Sequence, residues 1–130
     1  MAVELRDSPA LATPPGYSHV AIASGATLVF TAGAVPLDPE GSMVGEGDAV
    51  AQTTSVISNL LAALATAGAR AEAVVKTTVY VAGGDHGVQS AVWDVVRASS
   101  IGRVPSTLVG VQSLGYRGQL VEIEAIAVVD

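Results

Sequence analysis

Two carboxylates stand close together near the end of the chain. Glu122 and Glu124 are two residues apart in the apolar segment LVEIEAIAVV, residues 120–129, whose composition predicts a strand. Successive side chains of a strand point to opposite faces, so we expect both carboxylates on one face. The structural interpretation is a face open to water, or carboxylates that pair with Lys76 or an arginine across strands; the functional alternative is a semi-buried carboxylate that handles a proton or a water. Spacing alone leaves both interpretations open.

A pair of hydroxyl side chains marks the junction between two predicted elements. Ser106 and Thr107 follow Pro105 and begin the apolar segment STLVGVQSL, with Arg103 as the nearby cation. A hydroxyl can donate one neutral hydrogen bond to a ligand. The junction is therefore either a small polar site or only the start of a strand.

For each of four further residues, both a functional role and an ordinary structural role are open. Tyr17 is an amphipathic anchor or the wall of a cleft. Gly33 is a turn glycine or a point where backbone approaches a ligand closely. His19 on a strand is more often a structural residue than a base, and Trp93 is more often core or subunit interface than a stacking platform.

Composition restricts the class of protein. The chain has 130 residues, a single-domain length, with residues 1–16 expected to form an N-terminal arm or short strand followed by a proline-rich segment. Half of the residues are apolar and the mean hydropathy is +0.52. A small domain cannot easily bury so much apolar surface alone, so we expect a homo-oligomer. The net charge of −6 and the scattered cations argue against nucleic-acid binding.

The sequence contains no recognisable metal-binding motif, although its two histidines leave a two-histidine site open. It contains no cysteine, and its two histidines, His19 and His86, show no ligand spacing.

The start of the chain lacks the pattern of a signal peptide. The uncharged run over residues 49–69 carries too many polar side chains for a membrane span. We therefore expect a cytoplasmic protein that does not contact a membrane.

The elements that must position these residues follow from periodicity and turn signals. The turn SGAT, in which Gly25 can adopt positive φ, is expected to join the first two strands in a hairpin. Asp48 is expected to cap the first helix and Gly68 to end it. The fold class is α+β, a mixed sheet with two helices on one face in the order β-β-α-β-α-β-β. The strands are expected at residues 17–23, 28–33, 73–82, from 106 and 120–129, and the helices at residues 48–68 and 88–99.

Four segments, in this order from about Tyr17 to Val129, resemble a known family. They are YSHVA, LVFTAGAVPLDPEG, VVKTTVYV and VPSTLVGV…LVEIEAIAVV, and the helix AQTTSVISNLLAALATAGA also fits. Together they resemble the reactive intermediate deaminase (Rid, or YjgF) family, some of whose members are named endoribonuclease L-PSP. The resemblance implies a chorismate mutase-like fold and a homotrimer whose sheets face a barrel-like interior. It also implies ligand clefts between subunits, where deaminating members hydrolyse 2-aminoacrylate and related enamines or imines without a cofactor or metal.

The resemblance also implies roles for individual residues. Glu122 matches the acid that positions the attacking water, so it is the implied catalytic residue. Tyr17 and Gly33 match a tyrosine and a backbone glycine of the substrate cleft. Ala32 stands where deaminating members often have the serine of a T-S-G motif.

The strand junction departs from the pattern of the deaminating members. Their P-A-R-S/T-x-V-G-V motif carries an arginine that binds the substrate carboxylate. Here Ser106 or Thr107 occupies that position, depending on whether the segments are aligned on VGV or on Pro105. Arg103 and Arg117 are the cations nearby.

We therefore expect action on a small imine, enamine or related carbonyl compound rather than efficient deamination of 2-aminoacrylate. The alternative is a non-catalytic trimer that binds a metabolite or a protein partner. Ribonuclease activity is disfavoured by the acidity of the chain.

Overall fold

The computed structural model describes residues 2–25 and 27–130. The fold is α+β, as the sequence predicts. The strands are β1 (Ala2–Arg6), β2 (Val20–Ser24), β3 (Thr27–Phe30), β4 (Val74–Ala82), β5 (Ser106–Val111) and β6 (Val121–Val129), and the helices are α1 (Ala49–Thr66) and α2 (His86–Ala98). A short 3-10 turn, Ala71–Ala73, precedes β4.

Four strands form the main sheet, in the order β3-β6-β4-β5. The pairs β3–β6 and β6–β4 are antiparallel, whereas β4 and β5 are parallel because α2 crosses over between them. Both helices cover one face, where α1 packs against β6 and α2. The other face is free of helices, so it is available to carry polar side chains.

The core lies between the helices and the sheet. It combines apolar side chains of α1 with alternate residues of β4 and β6, which all point toward the helices. The side chains of Val56, Leu60, Leu64, Val79, Val81, Val121 and Ile123 are all at most 1% exposed. By length and composition alone α1 could cross a bilayer. Its packing against the sheet accounts for its apolar content.

The predicted ends of α1 are confirmed. The carboxylate of Asp48 accepts a hydrogen bond from the Ala51 backbone amide at 3.0 Å, which satisfies a free donor of the first turn. Gly68 follows the last turn with φ +74°, a conformation that favours glycine.

The second helix begins two residues earlier than the sequence analysis placed it. Asp85 caps α2, since its Oδ1 accepts hydrogen bonds from the amides of Gly87 and Val88 at 2.7 and 3.4 Å. The segment GGDHG is therefore only partly a turn, and His86 is the first residue of the helix.

The predicted pairing of the first two strands is wrong for the described residues. β2 pairs with β1, which lies in the segment expected to be an arm or a short strand, whereas β3 pairs with β6 in the main sheet. The turn SGAT includes Ala26, which lies outside the described residues. The prediction rested on turn residues and strand periodicity, and neither specifies which neighbour a strand pairs with.

Gln52 is expected to be the most sensitive polar position of the fold. Its fully buried amide donates to the carbonyls of Gly118 and Gly45 and accepts from the Leu120 amide at 2.7 Å, so it connects α1 to the start of β6. Gln52→Leu leaves the Gly118 carbonyl and the Leu120 amide without these hydrogen bonds, whereas the Gly45 carbonyl keeps the Asp48 amide, and we expect a loss of about 2–4 kcal/mol in the free energy of unfolding. Urea denaturation measures it. Gln112→Leu on the surface should change stability by less than about 0.5 kcal/mol.

Candidate functional site

The two glutamates of β6 lie on the face of the sheet opposite the helices. Glu122 stands across from Tyr80 and Glu124 from Thr78, and all four side chains are partly buried. The alternate residues Val121 and Ile123 are buried in the core. The predicted shared face of the two carboxylates is therefore confirmed.

The carboxylate of Glu122 is held from two sides. The Gln119 side chain is 4% exposed and donates from Nε2 to Oε1 of Glu122 at 3.0 Å. On the other side the carboxylate lies against Gly33, where a Cβ atom would collide with it. Backbone hydrogen bonds between Ala34 and Ile123 keep this segment beside β6. Gly33 thus permits a close approach, as its type suggested, and the group that approaches is the side chain of Glu122.

The second glutamate has a phenolic partner. The Tyr80 hydroxyl donates to Oε1 of Glu124 at 2.9 Å. This hydrogen bond raises the pKa of Tyr80, and burial and the negative charges of Glu124 and Glu122 raise it further, because each disfavours the phenolate.

Lys76 does not pair with the glutamates in the described part of the chain. A register shift at the start of β4 places it across from Ile126, and its Nζ donates to the Thr107 hydroxyl at 2.8 Å. The pairing of the glutamates with Lys76, one of the alternatives that the sequence left open, is therefore not observed, and the Lys76 ammonium group binds a hydroxyl of β5 instead.

A cavity of about 430 Å³ opens at the edge of the sheet between α2, β5 and the segment that precedes β2. Tyr17 and Ser106 both line it, so the structure brings these two predicted residues together. Its wall on α2 carries polar side chains that the sequence analysis did not single out for this site: His86, Gln89, Ser90 and Asp94.

Tyr17 is fixed at this cavity by contacts with α2. Its ring meets the Trp93 ring edge-on, with centroids 6.0 Å apart and an interplanar angle of 69°. The indole Nε1 of Trp93 donates to the carbonyl of Pro15 at 2.8 Å, which holds the segment on the helix. Tyr17 and Trp93 thus form one wall of the cavity.

The two residues at the implied arginine position lie on opposite faces of the sheet. Ser106 faces the helices, where the buried Thr77 hydroxyl donates a hydrogen bond to the Ser106 oxygen at 2.8 Å. The hydroxyl proton of Ser106 is therefore left for a ligand. Thr107 is exposed on the other face and accepts from Lys76. Arg103 and Arg117 are exposed, and the lining of the cavity includes neither of them.

The predicted site residues therefore form two groups within one chain. Tyr17 and Ser106 share the cavity at the β5 edge. Glu122 and Gly33 are in contact on the carboxylate face, beside the exposed Ala32. Among residues 2–25 and 27–130, no three histidine or carboxylate side chains are arranged to hold a metal ion.

Comparison with known proteins places the chain in a family. Fold and site define a small α+β domain with a supported carboxylate and a ligand-sized cavity. The sequence profile of the endoribonuclease L-PSP family matches residues 7–129, so the chain belongs to this family, which includes the Rid proteins.

Individual relatives agree with this assignment. The chain is 35% identical to protein DfrA of Myxococcus xanthus over 112 residues, which cover 86% of this chain and 84% of that protein. It is 35% identical to a RutC family protein of Pyrococcus horikoshii over 115 residues, 88% of each chain. Its fold matches the crystal structure of YyfB from Yersinia pestis, a Rid family protein of unknown function, with a TM-score of 0.90. That match has 30% identity and covers 99% of this chain and all of the other.

Gly33→Ala tests the support of the carboxylate. The added Cβ would occupy the space of the Glu122 side chain, so we expect the carboxylate to move and the free energy of unfolding to fall by about 1–3 kcal/mol. A crystal structure and thermal unfolding of the variant measure both effects. Gly115→Ala is the matched control, because a Cβ there meets no atom within 4 Å. An unmoved Glu122 would contradict the prediction.

The raised pKa of Tyr80 predicts a dependence on alkaline pH. Since the folded state favours the neutral phenol, the stabilisation by Tyr80 is present below the ordinary tyrosine pKa of about 10 and is lost as the pH rises through the higher folded value. Ultraviolet absorbance titrations of the wild type and of Tyr80→Phe measure this, because the difference between the two curves is the ionisation of Tyr80. Glu124→Gln should lower its pKa, whereas the distant Glu4→Gln should not. Equal titration curves for the two glutamine variants would refute the assignment.

Proposed function

We propose that the protein hydrolyses a small imine, enamine or related reactive compound in clefts between the subunits of a cytoplasmic homotrimer. The observation that carries this proposal is the support of Glu122, whose carboxylate is held by the buried Gln119 against the backbone of Gly33. A carboxylate fixed in this way is suited to orient a water and to accept its proton. Glu124, which binds Tyr80, lacks this arrangement.

In the proposed reaction, water adds to the carbon of the C=N bond. Glu122 accepts a proton from the water as the C–O bond forms, and the nitrogen takes a proton from solvent to give a carbinolamine. Glu122 then returns its proton to the nitrogen while the hydroxyl loses one to solvent. The C–N bond breaks, and a carbonyl compound and ammonia leave. No electrons are exchanged, so this reaction balances without a redox partner.

The charge of the cavity favours a substrate without a carboxylate. Its lining contains Asp94 but no lysine or arginine, and Ser106 offers a neutral donor. Replacement of a buried arginine–carboxylate contact by a hydroxyl costs about 2–5 kcal/mol of binding, by analogy with truncated charge pairs. We therefore propose a neutral or cationic imine, with Tyr17 closing the cleft over it.

Exposed apolar side chains support assembly into a trimer. Leu28 and Phe30 of β3 are 60% and 68% exposed and stand beside β6, and Val109 of β5 is also exposed. A neighbouring subunit would bury them and provide a route by which Glu122 of one chain meets the cavity of another. The net charge of −6 disfavours RNA as a ligand of this assembly.

A coupled assay tests the reaction. An amine oxidase generates carboxylate-free imines, a serine-dehydrating enzyme generates 2-aminoacrylate, and release of the carbonyl product is followed with and without the protein. We expect the wild type to accelerate hydrolysis of the carboxylate-free imines more than that of 2-aminoacrylate. Glu122→Gln should lower the rate by about 10²–10⁴-fold, because it removes the proton acceptor. Glu124→Gln, a carboxylate on the same face, is the matched control and should retain the rate.

Ser106→Arg tests the substrate preference. It restores a cation at the strand junction, so we expect the variant to act faster on 2-aminoacrylate than the wild type. If the wild type already prefers 2-aminoacrylate, the argument from the cavity charge is overturned.

The second candidate function is a non-catalytic binding module. The observation that favours it is the cavity itself, which Tyr17 and Ser106 line without Glu122 within one chain. Absence of turnover by both the wild type and Ser106→Arg in the coupled assay would refute hydrolysis and select this candidate.

A further inference from the structure

We propose that the chain exchanges its N-terminal β1–β2 ribbon with a second copy of itself, so that β2 of one chain pairs with β3 of another. The proposal starts from the sheet topology. Only residues 25 and 26 separate β2 from β3 in sequence, yet the two strands belong to different sheets. A two-residue connection between strands normally closes a hairpin. This pairing does not rest on the proposed reaction, although it involves the same exposed strand β3 as the proposed trimer.

Each of the two strands has an unpaired edge within the described residues. The ladder of β2 is with β1 alone, and that of β3 is with β6 alone. Both strands also expose large apolar side chains: Val20 and Ile22 of β2 are 50% and 49% exposed, and Leu28 and Phe30 of β3 are more exposed still. Unpaired, apolar strand edges are templates for pairing with another strand.

Defined contacts hold the ribbon away from β3 of its own chain. β2 lies near β4, and β1 lies near the turn at residues 71–73. The segment that leads into β2 is fastened by the hydrogen bond from Trp93 to Pro15. His19 adds two hydrogen bonds at 3.0 Å, one from the Ser8 amide to its Nδ1 and one from its own amide to Asp7.

A second copy of the chain fits the free edge of β3 for a simple reason. The second copy carries the strand β2, one edge of which is unpaired. In a closed hairpin, this edge is the one that would pair with β3. Exchange therefore pairs the free edges of β2 and β3 in every chain and joins the two sheets. A short hinge favours such exchange where the closed hairpin is prevented, as it is here by the contacts of the ribbon with β4 and with residues 71–73.

Engineered cysteines test the exchange, because the natural chain contains none. Ala23→Cys/Leu28→Cys and Ile22→Cys/Val29→Cys place thiols at pairs that face each other when β2 and β3 form an antiparallel ladder. The two pairs cover both kinds of position in such a ladder. After mild oxidation of the full-length protein, non-reducing gel electrophoresis should show covalent species of two or more chains.

Single-cysteine variants guard against misfolding of the double variants. Ala23→Cys and Leu28→Cys, carrying different affinity tags, are co-expressed and should form disulfide-linked dimers that contain both tags. Circular dichroism and size-exclusion elution should match those of the wild type. Insertion of four Gly and Ser residues between Gly25 and Ala26 should convert the disulfide of the double variants to one within a single chain, because lengthening a short hinge disfavours exchange.

Two results would overturn the proposal. A disulfide within one chain at the natural connection length shows that β2 pairs with its own β3. Free thiols in folded double and co-expressed single variants show that the two strands do not pair in either way.

Discussion

The alternation of side chains along β6 is the constraint on which the rest of the structure depends. This strand lies between β3 and β4, and its apolar residues Val121 and Ile123 complete the core beneath α1. The same alternation turns Glu122 and Glu124 to the face without helices. A shift of one residue in register would bury two carboxylates and expose the core. Stability of the fold and placement of the carboxylates therefore cannot be separated.

Polar side chains connect this strand to the remainder of the molecule. Gln52 joins α1 to the turn before β6, and Gln119 in that turn supports Glu122. Gln52 thus holds the backbone of this turn by hydrogen bonds, and Gln119, which lies in the turn, holds the carboxylate of Glu122. Both are buried and have their hydrogen bonds made, which fixes their geometry at low cost in desolvation. The side chain proposed to act on a substrate is in this way positioned by the core.

The sequence predicted what depends on local patterns. Strand alternation placed both glutamates on one face, and Asp48 and Gly68 marked the ends of α1. The sequence did not predict what depends on contacts between distant segments. The position of the β1–β2 ribbon follows from its contacts with β4 and from the attachment of Pro15 and Tyr17 to α2, and Asp85 begins α2 earlier than the apolar spacing indicates. Likewise Gln119 has no motif that assigns it to Glu122. The α2 residues that line the cavity could not be predicted either, because the sequence does not show which face of α2 lies beside β5.

The placement of Trp93 gives the molecule an intrinsic optical reporter. It is the only tryptophan of the chain, so its emission belongs to one known position. Its indole nitrogen is bonded to the Pro15 carbonyl and its ring abuts Tyr17 at the cavity. Release of the N-terminal segment from α2 would expose the indole to water and shift its emission to longer wavelength. The fluorescence of the unmodified protein therefore follows the docking of this segment and the occupancy of the cavity beside it.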